Sequence, residues 1–233
     1  PDQSSAASDV YKRQTQYPLA KDVVRWQGEP VAVVVANKRA VAEDALELVE
    51  IDYEDLDAQL DMETAMDKST KVIHDDLGNN LFWTRTVNQG DVSEAFKQSH
   101  IVEEVTLDFA RHTGVTLETR AIVADWDSSE ERMTIYHNGQ APHMMQSIIA
   151  KHLNISEGLV RIISCDVGGS FGIKVHVYPD EMVTVAVSKL LKRPVKFVAD
   201  RLESYSTDIH SRCHKISGKI GVCLLYTSDA ADD

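Results

Sequence analysis

The stretch Asp166-Val167-Gly168-Gly169-Ser170-Phe171-Gly172-Ile173-Lys174, the glycine loop, carries the strongest fold signal in the chain. It follows an apolar run at residues 159–163 that predicts a buried strand. Glycine has no Cβ, so backbone N–H groups here can approach a bulky anionic group closely. The loop is therefore a candidate cofactor cradle. An ordinary turn or bulge is the alternative, because most glycine-rich loops after strands are one or the other.

The glycine spacing excludes two familiar phosphate sites. The loop lacks the Gly-x-x-x-x-Gly-Lys-Ser/Thr pattern of a P-loop. It also lacks the Gly-x-Gly-x-x-Gly pattern that opens a helix in dinucleotide-binding folds. A generic nucleotide-phosphate site would rest on the glycines alone.

A second polar segment, Asn138-Gly139-Gln140-Ala141-Pro142-His143, lies upstream. It follows a predicted strand at 133–136 and precedes a predicted helix at 143–153. Proline is tolerated in a first helical turn, where its missing N–H would have no partner. Gln140 thus projects from a strand-to-helix junction with an amide that donates and accepts. Taken alone, it could equally be a capping or turn glutamine.

Together, these two segments resemble the molybdenum-binding large subunit of the xanthine dehydrogenase and aldehyde oxidase family. The likeness is greatest to the aerobic carbon monoxide dehydrogenase-type branch. It spans residues 16–221, and an ordered set of motifs is more specific than any one of them. Further segments continue it in order, at residues 24–36, 42–54, 89–96, 117–121 and 193–204.

The resemblance implies an α+β fold in two parts. Residues 15–60 would form the C-terminal part of an α/β-hammerhead domain, and 61–80 a connector. Residues 81–221 would form the first molybdopterin-cofactor-binding domain, incomplete. Residues 1–14 and 222–233 do not continue the family pattern and are similar to translated sequencing-adapter sequence, so we expect non-native scars around an internal fragment of a longer protein.

The resemblance also implies an activity and a cofactor. The family oxidises a small molecule with water as the oxygen source and passes electrons to iron–sulfur and flavin centres. Its cofactor is molybdopterin carrying molybdenum, here expected in the cytosine dinucleotide form. FAD and [2Fe-2S] would lie on partners, a flavin-binding medium subunit and an iron–sulfur small subunit. The substrate stays open between an aldehyde, an N-heterocycle and carbon monoxide.

The family's cofactor contacts transfer to five residues. Gln140 would hydrogen-bond an oxo group at the molybdenum, and the backbone of Gly169, Ser170 and Gly172 would approach the metal. Phe171 would pack beside it, so Gln140 and Phe171 form the molybdenum environment without a covalent side-chain ligand. The catalytic glutamate and the substrate loop are expected beyond this chain. No catalytic residue is therefore named, and the chain alone is expected to be inactive.

Three positions depart from the family pattern. Ser170 stands where the family usually has glycine, and Thr119 where it has proline. Val175 stands where purine-oxidising members carry an acidic residue, which disfavours a purine substrate. Ser170 and Thr119 leave open a non-catalytic cofactor-binding or scaffold paralogue of the same fold.

Composition predicts a soluble cytoplasmic protein. The chain has 233 residues, of which 43% are hydrophobic and 26% charged. The longest apolar run, 31–36, is too short for a membrane span. A net charge of −13 disfavours nucleic-acid binding. Cys165, Cys213 and Cys223 lack zinc or iron–sulfur spacing, so any cluster would lie on another polypeptide.

Periodicity predicts the remaining elements. A βαβ pattern is expected from a strand at 31–36, a helix at 38–48 and a strand at 49–53, with a right-handed crossover. One helical turn is expected near 62–66. Helices are further predicted at 93–98, begun by Asp91, and at 178–191, and strands at 101–109, 121–125, 159–164 and 195–199.

Other polar residues are candidates for a structural or a catalytic role. Glu118 and Arg120 share one side of a strand and could form a buried ion pair or a cofactor-side contact; a structural role is favoured. Asp200, Arg201 and Glu203 are predicted to form a salt-bridge network in a loop. No His-x-x-x-His pair supports a zinc hydrolase, and no serine has the His–Asp partners of a nucleophile.

Overall fold

The computed structural model describes residues 16–224, so the predicted scar at 1–14 and all but the first three residues of the one predicted at 222–233 lie outside the described residues. Within this part, the chain forms two compact units. One contains residues 81–112 and 210–224, and the other contains residues 16–80 and 113–209. In sequence, residues 113–209 lie between the two halves of the first unit.

The elements are numbered here in chain order. The helices are α1 Arg39–Leu46, α2 Val92–Gln98, α3 Pro142–Leu153, α4 Pro179–Leu191 and α5 Arg201–Thr207. The strands are β1 Ile101–Phe109, β2 Ala121–Asp127, β3 Arg132–His137, β4 Val160–Ile163, β5 Val195–Val198 and β6 His214–Val222. Single 3-10 turns occur at Thr64–Met66, Asp75–Leu77, Glu157–Leu159 and Ile173–Val175.

A four-stranded sheet organises the larger unit, in the order β4-β3-β2-β5. The pairs β2–β3 and β2–β5 are antiparallel, and β3–β4 is parallel. One face of β2 and β3 alternates into the core, as expected for a half-buried sheet. Helices α3 and α4 contribute to that core, whose buried members are Ile122, Ala124, Trp126, Met133, Ile135, Met145, Ile149, Ala150, Val160 and Val185.

This topology brings four chain segments to one edge of the sheet. The parallel strands β3 and β4 end side by side, with Tyr136 opposite Ile163. Because β2 is antiparallel to β3 and to β5, the start of β2 and the end of β5 lie at the same edge. The segments after β3 and β4 and the segment before β2 therefore meet. They carry Gln140, the glycine loop and Glu118.

The smaller unit is a two-stranded ribbon with one short helix. Strands β1 and β6 pair antiparallel from Ile101 opposite Val222 to Phe109 opposite His214. All residues of both strands are exposed. Asp91 caps α2 by accepting the Glu94 N–H at 2.9 Å, which confirms the predicted helix start.

The predicted βαβ pattern near the start is wrong in its strands. Only its helix is present, as α1, and the runs 31–36 and 49–53 form no strand. Most of their apolar side chains are exposed, 46% for Val33 and 44% for Ile51. A strand needs a neighbour to pair its N–H and C=O groups, and residues 16–224 offer these runs none. With no paired strands, no crossover exists there.

Candidate functional site

Gln140 is held by the glycine loop at both its backbone and its side chain. Its N–H donates to the Lys174 carbonyl oxygen at 3.1 Å. Its Oε1 accepts the Gly172 N–H at 3.2 Å and the Ser170 hydroxyl. The two segments singled out in the sequence are therefore in direct contact. With Oε1 occupied, the amide NH2 of Gln140 is the group left to donate elsewhere.

Close packing fixes the residue before Gln140. A Cβ at Gly139 would collide with the His137 ring and lie 3.2 Å from the Lys174 carbonyl oxygen. Ser164, just after β4, donates its hydroxyl to the Gly139 carbonyl oxygen at 2.9 Å. Pro142 begins α3 at the first helical turn, as predicted. Gln140 thus stands on a rigid strand-to-helix junction.

The glycine loop adopts left-handed backbone at three positions. Gly169 has φ +92° and Gly172 φ +86°, which glycine tolerates. Phe171 has φ +48°, which is unusual for a bulky residue, and its side chain is 76% exposed. Within residues 16–224, the N–H groups of Gly169, Ser170 and Phe171 have no hydrogen-bond partner. Successive unpaired backbone N–H groups of this kind are available to an anionic ligand.

These donors fit the cofactor that the resemblance implies. Three backbone N–H groups and one amide NH2 can receive the oxygen ligands of an anionic group. Among the described residues, no three or more His, Cys, Asp or Glu side chains converge on a metal-sized site.

Lys174 and Glu118 form an ion pair beneath the loop. Lys174 Nζ donates to Glu118 Oε2 at 2.7 Å, and the same oxygen accepts the Gly168 N–H at 2.8 Å. The Lys174 side chain is 1% exposed and that of Glu118 40%. The hydrogen bond from Lys174, helped by that from Gly168, lowers the pKa of the Glu118 carboxyl below its ordinary value.

Arg120 pairs elsewhere, so the predicted possibility of a Glu118–Arg120 ion pair is wrong. The Arg120 guanidinium binds Asp180 through two nitrogens, at 2.6 and 2.7 Å, and Asp208 at 2.6 Å. It also lies 3.8 Å from the centre of the Tyr178 ring. These residues, the arginine cluster, serve the structural role that the sequence favoured. The two side chains separate because each finds a better-placed partner.

Burial opposes the charge of Arg120, but bonds and charges from Asp180, Glu181 and Asp208 outweigh it and raise its pKa. Burial has the opposite effect on the Tyr178 phenol and raises its pKa, because the charged form of a phenol is the deprotonated one. Tyr178 donates its hydroxyl to the Ile173 carbonyl oxygen at 2.8 Å, so the cluster reaches the glycine loop. The cluster is closely hydrogen-bonded, which suits a structural role.

The predicted loop network of Asp200, Arg201 and Glu203 is also wrong. Asp200 and Glu203 form a reciprocal capping box at the start of α5, with bonds of 2.7 Å in each direction. Arg201 donates to the carbonyl oxygens of Thr116 and Leu117, at 2.8 and 2.6 Å. The sequence held the signal, because an acidic residue followed three positions later by Glu is a helix-start pattern.

A buried histidine and a half-buried asparagine have supporting roles with no clear signal in the sequence. His137 Nε2 lies 2.9 Å from Glu181 Oε1, and Glu181 is 1% exposed. Asn138 bridges two backbone segments, accepting the Ala121 N–H at 2.9 Å and donating to the Thr119 carbonyl oxygen at 2.8 Å. Both join the segment after β3 to the rest of the unit. Their partners lie 17 to 44 residues away in sequence.

No helix within residues 16–224 combines the length and apolarity needed to cross a membrane. The described helices run from 7 to 13 residues, whereas a span needs about 20.

Two family models match the chain. The molybdopterin cofactor-binding domain matches residues 73–223, and the hammerhead domain of aldehyde oxidase and xanthine dehydrogenase matches residues 1–57. The chain belongs to the family of molybdopterin-binding large subunits that includes xanthine dehydrogenase and aldehyde oxidase. The predicted family and the α+β fold class, a hammerhead part followed by a molybdopterin-binding part, are confirmed.

Individual relatives agree. The chain is 38% identical over 193 residues to the nicotine 6-hydroxylase large subunit of Paenarthrobacter nicotinovorans, covering 83% of this chain and 24% of that protein. It is 31% identical over 215 residues to the carbon monoxide dehydrogenase large chain of Hydrogenophaga pseudoflava, covering 87% and 27%. The chain thus spans about a quarter of the length of these relatives.

Solved structures share the fold. Quinoline 2-oxidoreductase from Pseudomonas putida 86 superposes with a TM-score of 0.86 at 30% identity, over 91% of this chain and 27% of that one. Carbon monoxide dehydrogenase from Oligotropha carboxidovorans superposes with a TM-score of 0.82 at 29% identity, over 89% and 28%.

Proposed function

We propose that this chain is part of a molybdenum hydroxylase large subunit. The enzyme oxidises a small molecule with water as the oxygen source. Its electrons pass to iron–sulfur and flavin centres on a small and a medium partner subunit, in the cytoplasm. The cofactor is molybdopterin in its cytosine dinucleotide form. Family membership supports the class, and the names of two relatives, a nicotine hydroxylase and a quinoline oxidoreductase, favour an N-heterocycle as substrate over an aldehyde or carbon monoxide.

One observation carries the proposal at the residue level. Gln140 Oε1 accepts hydrogen bonds from the Ser170 hydroxyl and the Gly172 N–H. The amide NH2 of Gln140 is therefore the group that can donate to a ligand. It stands beside the unpaired N–H groups of Gly169, Ser170 and Phe171. We assign this donor set to the oxygen ligands of the molybdenum cofactor. When bound, the cofactor supplies the redox chemistry, and the protein supplies binding and orientation.

Each residue then has a distinct task. Gln140 donates a hydrogen bond to an oxygen ligand and so fixes the orientation of the metal group. The backbone of residues 169–172 approaches the group closely because Gly169 and Gly172 lack a Cβ. The exposed ring of Phe171 covers the group and excludes water. None of these side chains titrates near neutral pH, so a proton acceptor has to come from another part of the enzyme.

Replacement of Gln140 tests the assignment. In the complete enzyme purified with its partner subunits, Gln140→Ala should lower turnover about 10- to 100-fold, because a hydrogen bond to a charged group contributes ~1.5–3 kcal/mol. The readouts are molybdenum per protein, steady-state turnover and incorporation of labelled oxygen from water. Unchanged molybdenum content together with unchanged turnover would refute the role of Gln140.

Gln146→Ala is the matched control. Gln146 lies on α3 a short distance from Gln140, and its amide donates to the carbonyl oxygens of Glu157 and Val160 at 3.0 and 2.8 Å. This control removes the same type of side-chain amide, but one whose hydrogen bonds go only to backbone carbonyl oxygens outside the proposed cofactor site. It should lower stability without a selective loss of turnover per bound molybdenum.

The competing proposal is a cofactor-binding or scaffold paralogue without turnover, raised by Ser170 and Thr119. Molybdenum and pterin analysis of the purified complete protein separates the two. Bound cofactor with no oxidation of aldehydes, N-heterocycles or carbon monoxide would support the paralogue.

A further inference from the structure

One carboxylate oxygen ties both ends of the glycine loop. Glu118 Oε2 accepts the Gly168 N–H at 2.8 Å and the Lys174 ammonium at 2.7 Å. The chain between Gly168 and Lys174 is thereby closed into a ring through a residue 50 positions earlier in sequence. Glu118 reaches the loop because it lies three residues before the first residue of β2, and the start of β2 shares the sheet edge with the ends of β3 and β4.

The contacts of Glu118 with Gly168 and Lys174 form a bridge across the loop. At its Lys174 end, the buried ammonium depends on Glu118 as its counter-charge. The Lys174 side chain is 1% exposed, and Glu118 is the only acidic side chain within ion-pair distance among residues 16–224. A buried ammonium is costly without a counter-charge, and removing one partner costs more than removing both. Lys174 therefore stays where Glu118 places it.

The Gly168 end depends on close approach of the two backbones. A Cβ at Gly168 would lie 2.5 Å from the Glu118 Cβ and 3.3 Å from its carboxyl carbon. The Glu118 N–H also faces the Gly168 carbonyl oxygen at 3.4 Å. Glycine at this position is thus needed for contact with Glu118, and not for an unusual φ.

The bridge continues to Gln140. The Lys174 carbonyl oxygen accepts the Gln140 N–H at 3.1 Å, and Gly172, inside the ring, donates to Gln140 Oε1 at 3.2 Å. A shift of Lys174 would move the backbone and the side chain of Gln140 together.

We infer that Glu118, acting through Lys174, is a positioning residue that sets the location of Gln140 and of the free N–H groups of the glycine loop. Its consequence for catalysis rests on the proposed function, whereas the closure of the loop does not. Glu118 itself touches no reacting group in this scheme.

The test uses the complete large subunit, prepared both without molybdenum and as the loaded complex. The variants are Glu118→Gln, Lys174→Met and the double replacement. Glutamine keeps one acceptor oxygen but leaves the Lys174 ammonium without a counter-charge. Glu130→Gln is the matched control, because it removes an exposed ion pair with Arg132, 3.3 Å long, from the turn between β2 and β3.

In the metal-free protein, hydrogen exchange of peptides covering 138–141 and 166–174 should be about tenfold faster in all three variants, since a tethered loop opens locally more often once a tether is lost. Glu130→Gln should match the wild type. The double variant should regain most of the thermal stability lost in the single variants, while its loop still exchanges quickly. Wild-type exchange of both peptides in folded Glu118→Gln, or in the double variant if the single variant fails to fold, would overturn the inference.

In the loaded complex, Glu118→Gln should lower kcat at least about tenfold with KM changed by less than about twofold, because the donors are displaced while substrate contacts are not. Equal losses in Glu118→Gln and Glu130→Gln would overturn the catalytic part. If the loop loosens as expected but the wild-type complex neither holds molybdenum nor turns over, the proposed function fails and the positioning of the loop by Glu118 stands.

Discussion

Phe171 combines a left-handed backbone, φ +48°, with a ring that is 76% exposed. Left-handed backbone costs a residue with a Cβ roughly 1–2 kcal/mol, and an exposed aromatic ring recovers little by burial. Gly114 accommodates the residue, since a Cβ there would lie 2.8 Å from the Phe171 Cβ. Strain of this kind is concentrated at ligand sites, which agrees with the proposed place of Phe171 beside the cofactor.

Glu118 should make stability depend on pH. Its pKa is lowered in the folded chain, mainly by the hydrogen bond from Lys174. The bridge therefore contributes fully above the ordinary carboxyl value of 4.5 and is lost as the pH falls through the lower folded value. The unfolding midpoint of wild type should exceed that of Glu118→Gln by a constant amount well above the ordinary carboxyl pKa of 4.5, and the difference should shrink as the pH falls below that value.

Denaturant unfolding of the wild type and of Glu118→Gln at several pH values measures this difference in unfolding midpoint. Asp127→Asn provides the comparison for an exposed carboxyl whose pKa is lowered mainly by the Ser129 hydroxyl. A gap between wild type and Glu118→Gln that widens towards acid pH would contradict the assignment.

At the scale of elements, the arginine cluster connects three of them. Arg120 lies just before β2, Asp180 opens α4, and Asp208 follows the end of α5. The bidentate bond to Asp180 needs the planar fork of arginine, which lysine cannot reproduce. Arg120→Lys should therefore destabilise the larger unit by ~2–4 kcal/mol, since it leaves buried carboxylates with incomplete bonding.

Chemical unfolding monitored by far-ultraviolet circular dichroism measures the loss of unfolding free energy in Arg120→Lys. Arg132→Lys, which alters an exposed pair with Glu130, should change stability by less than ~0.5 kcal/mol. A comparable loss in both variants would mean that the cluster contributes no more than a surface pair.

Elements with strong periodicity were predictable from sequence. The strand predicted at 101–109 is β1, and the helix predicted at 143–153 is α3 with one more residue at its start. The strand predicted at 31–36 is wrong because a run of six apolar residues becomes a strand only if a neighbouring strand is there to pair with it. Helix α5 was missed because its short capping box resembled a cluster of loop charges.

The two segments that form the candidate site were predictable from sequence, whereas the residues that hold them in place were not. Gln140 and the glycine loop were paired from their order along the chain, and they are in contact. The Glu118–Lys174 bridge could not be derived, because it depends on β2 and β3 being antiparallel and β3 and β4 parallel. Nothing in the local sequence distinguishes the 1% exposed Lys174 from a surface lysine. The roles of Gln140, Gly169, Ser170, Phe171 and Gly172 toward a cofactor stay predictions.

At the scale of the whole molecule, the two units differ in what stabilises them. Ala124 and Ile135 in the four-stranded sheet are fully buried, whereas every residue of the ribbon β1–β6 is exposed. A two-stranded ribbon without a buried face is marginal in water. In the 233-residue chain, amides of β1 and β6 should therefore exchange with solvent at least about tenfold faster than those paired between β2 and β3.

Hydrogen exchange followed by mass spectrometry resolves the two sets, since the strands fall in separate peptides. The amides of α3, which packs on the sheet, serve as the protected reference. Protection of the ribbon equal to that of β2–β3 would show that its pairing alone is sufficient for stability.

The arginine cluster also bears on how the polypeptide is made. Arg120 finds Asp180 only 60 residues later and Asp208 only 88 residues later. At about 5–20 residues per second, the ribosome leaves the guanidinium without Asp208 for roughly 4 to 18 seconds. During that interval β2 and β3 have emerged while the helix that covers part of their apolar face, α4, is still incomplete or unanchored. We therefore expect the apolar face of β2 and β3 to be incompletely covered between the emergence of β3 and that of Asp208.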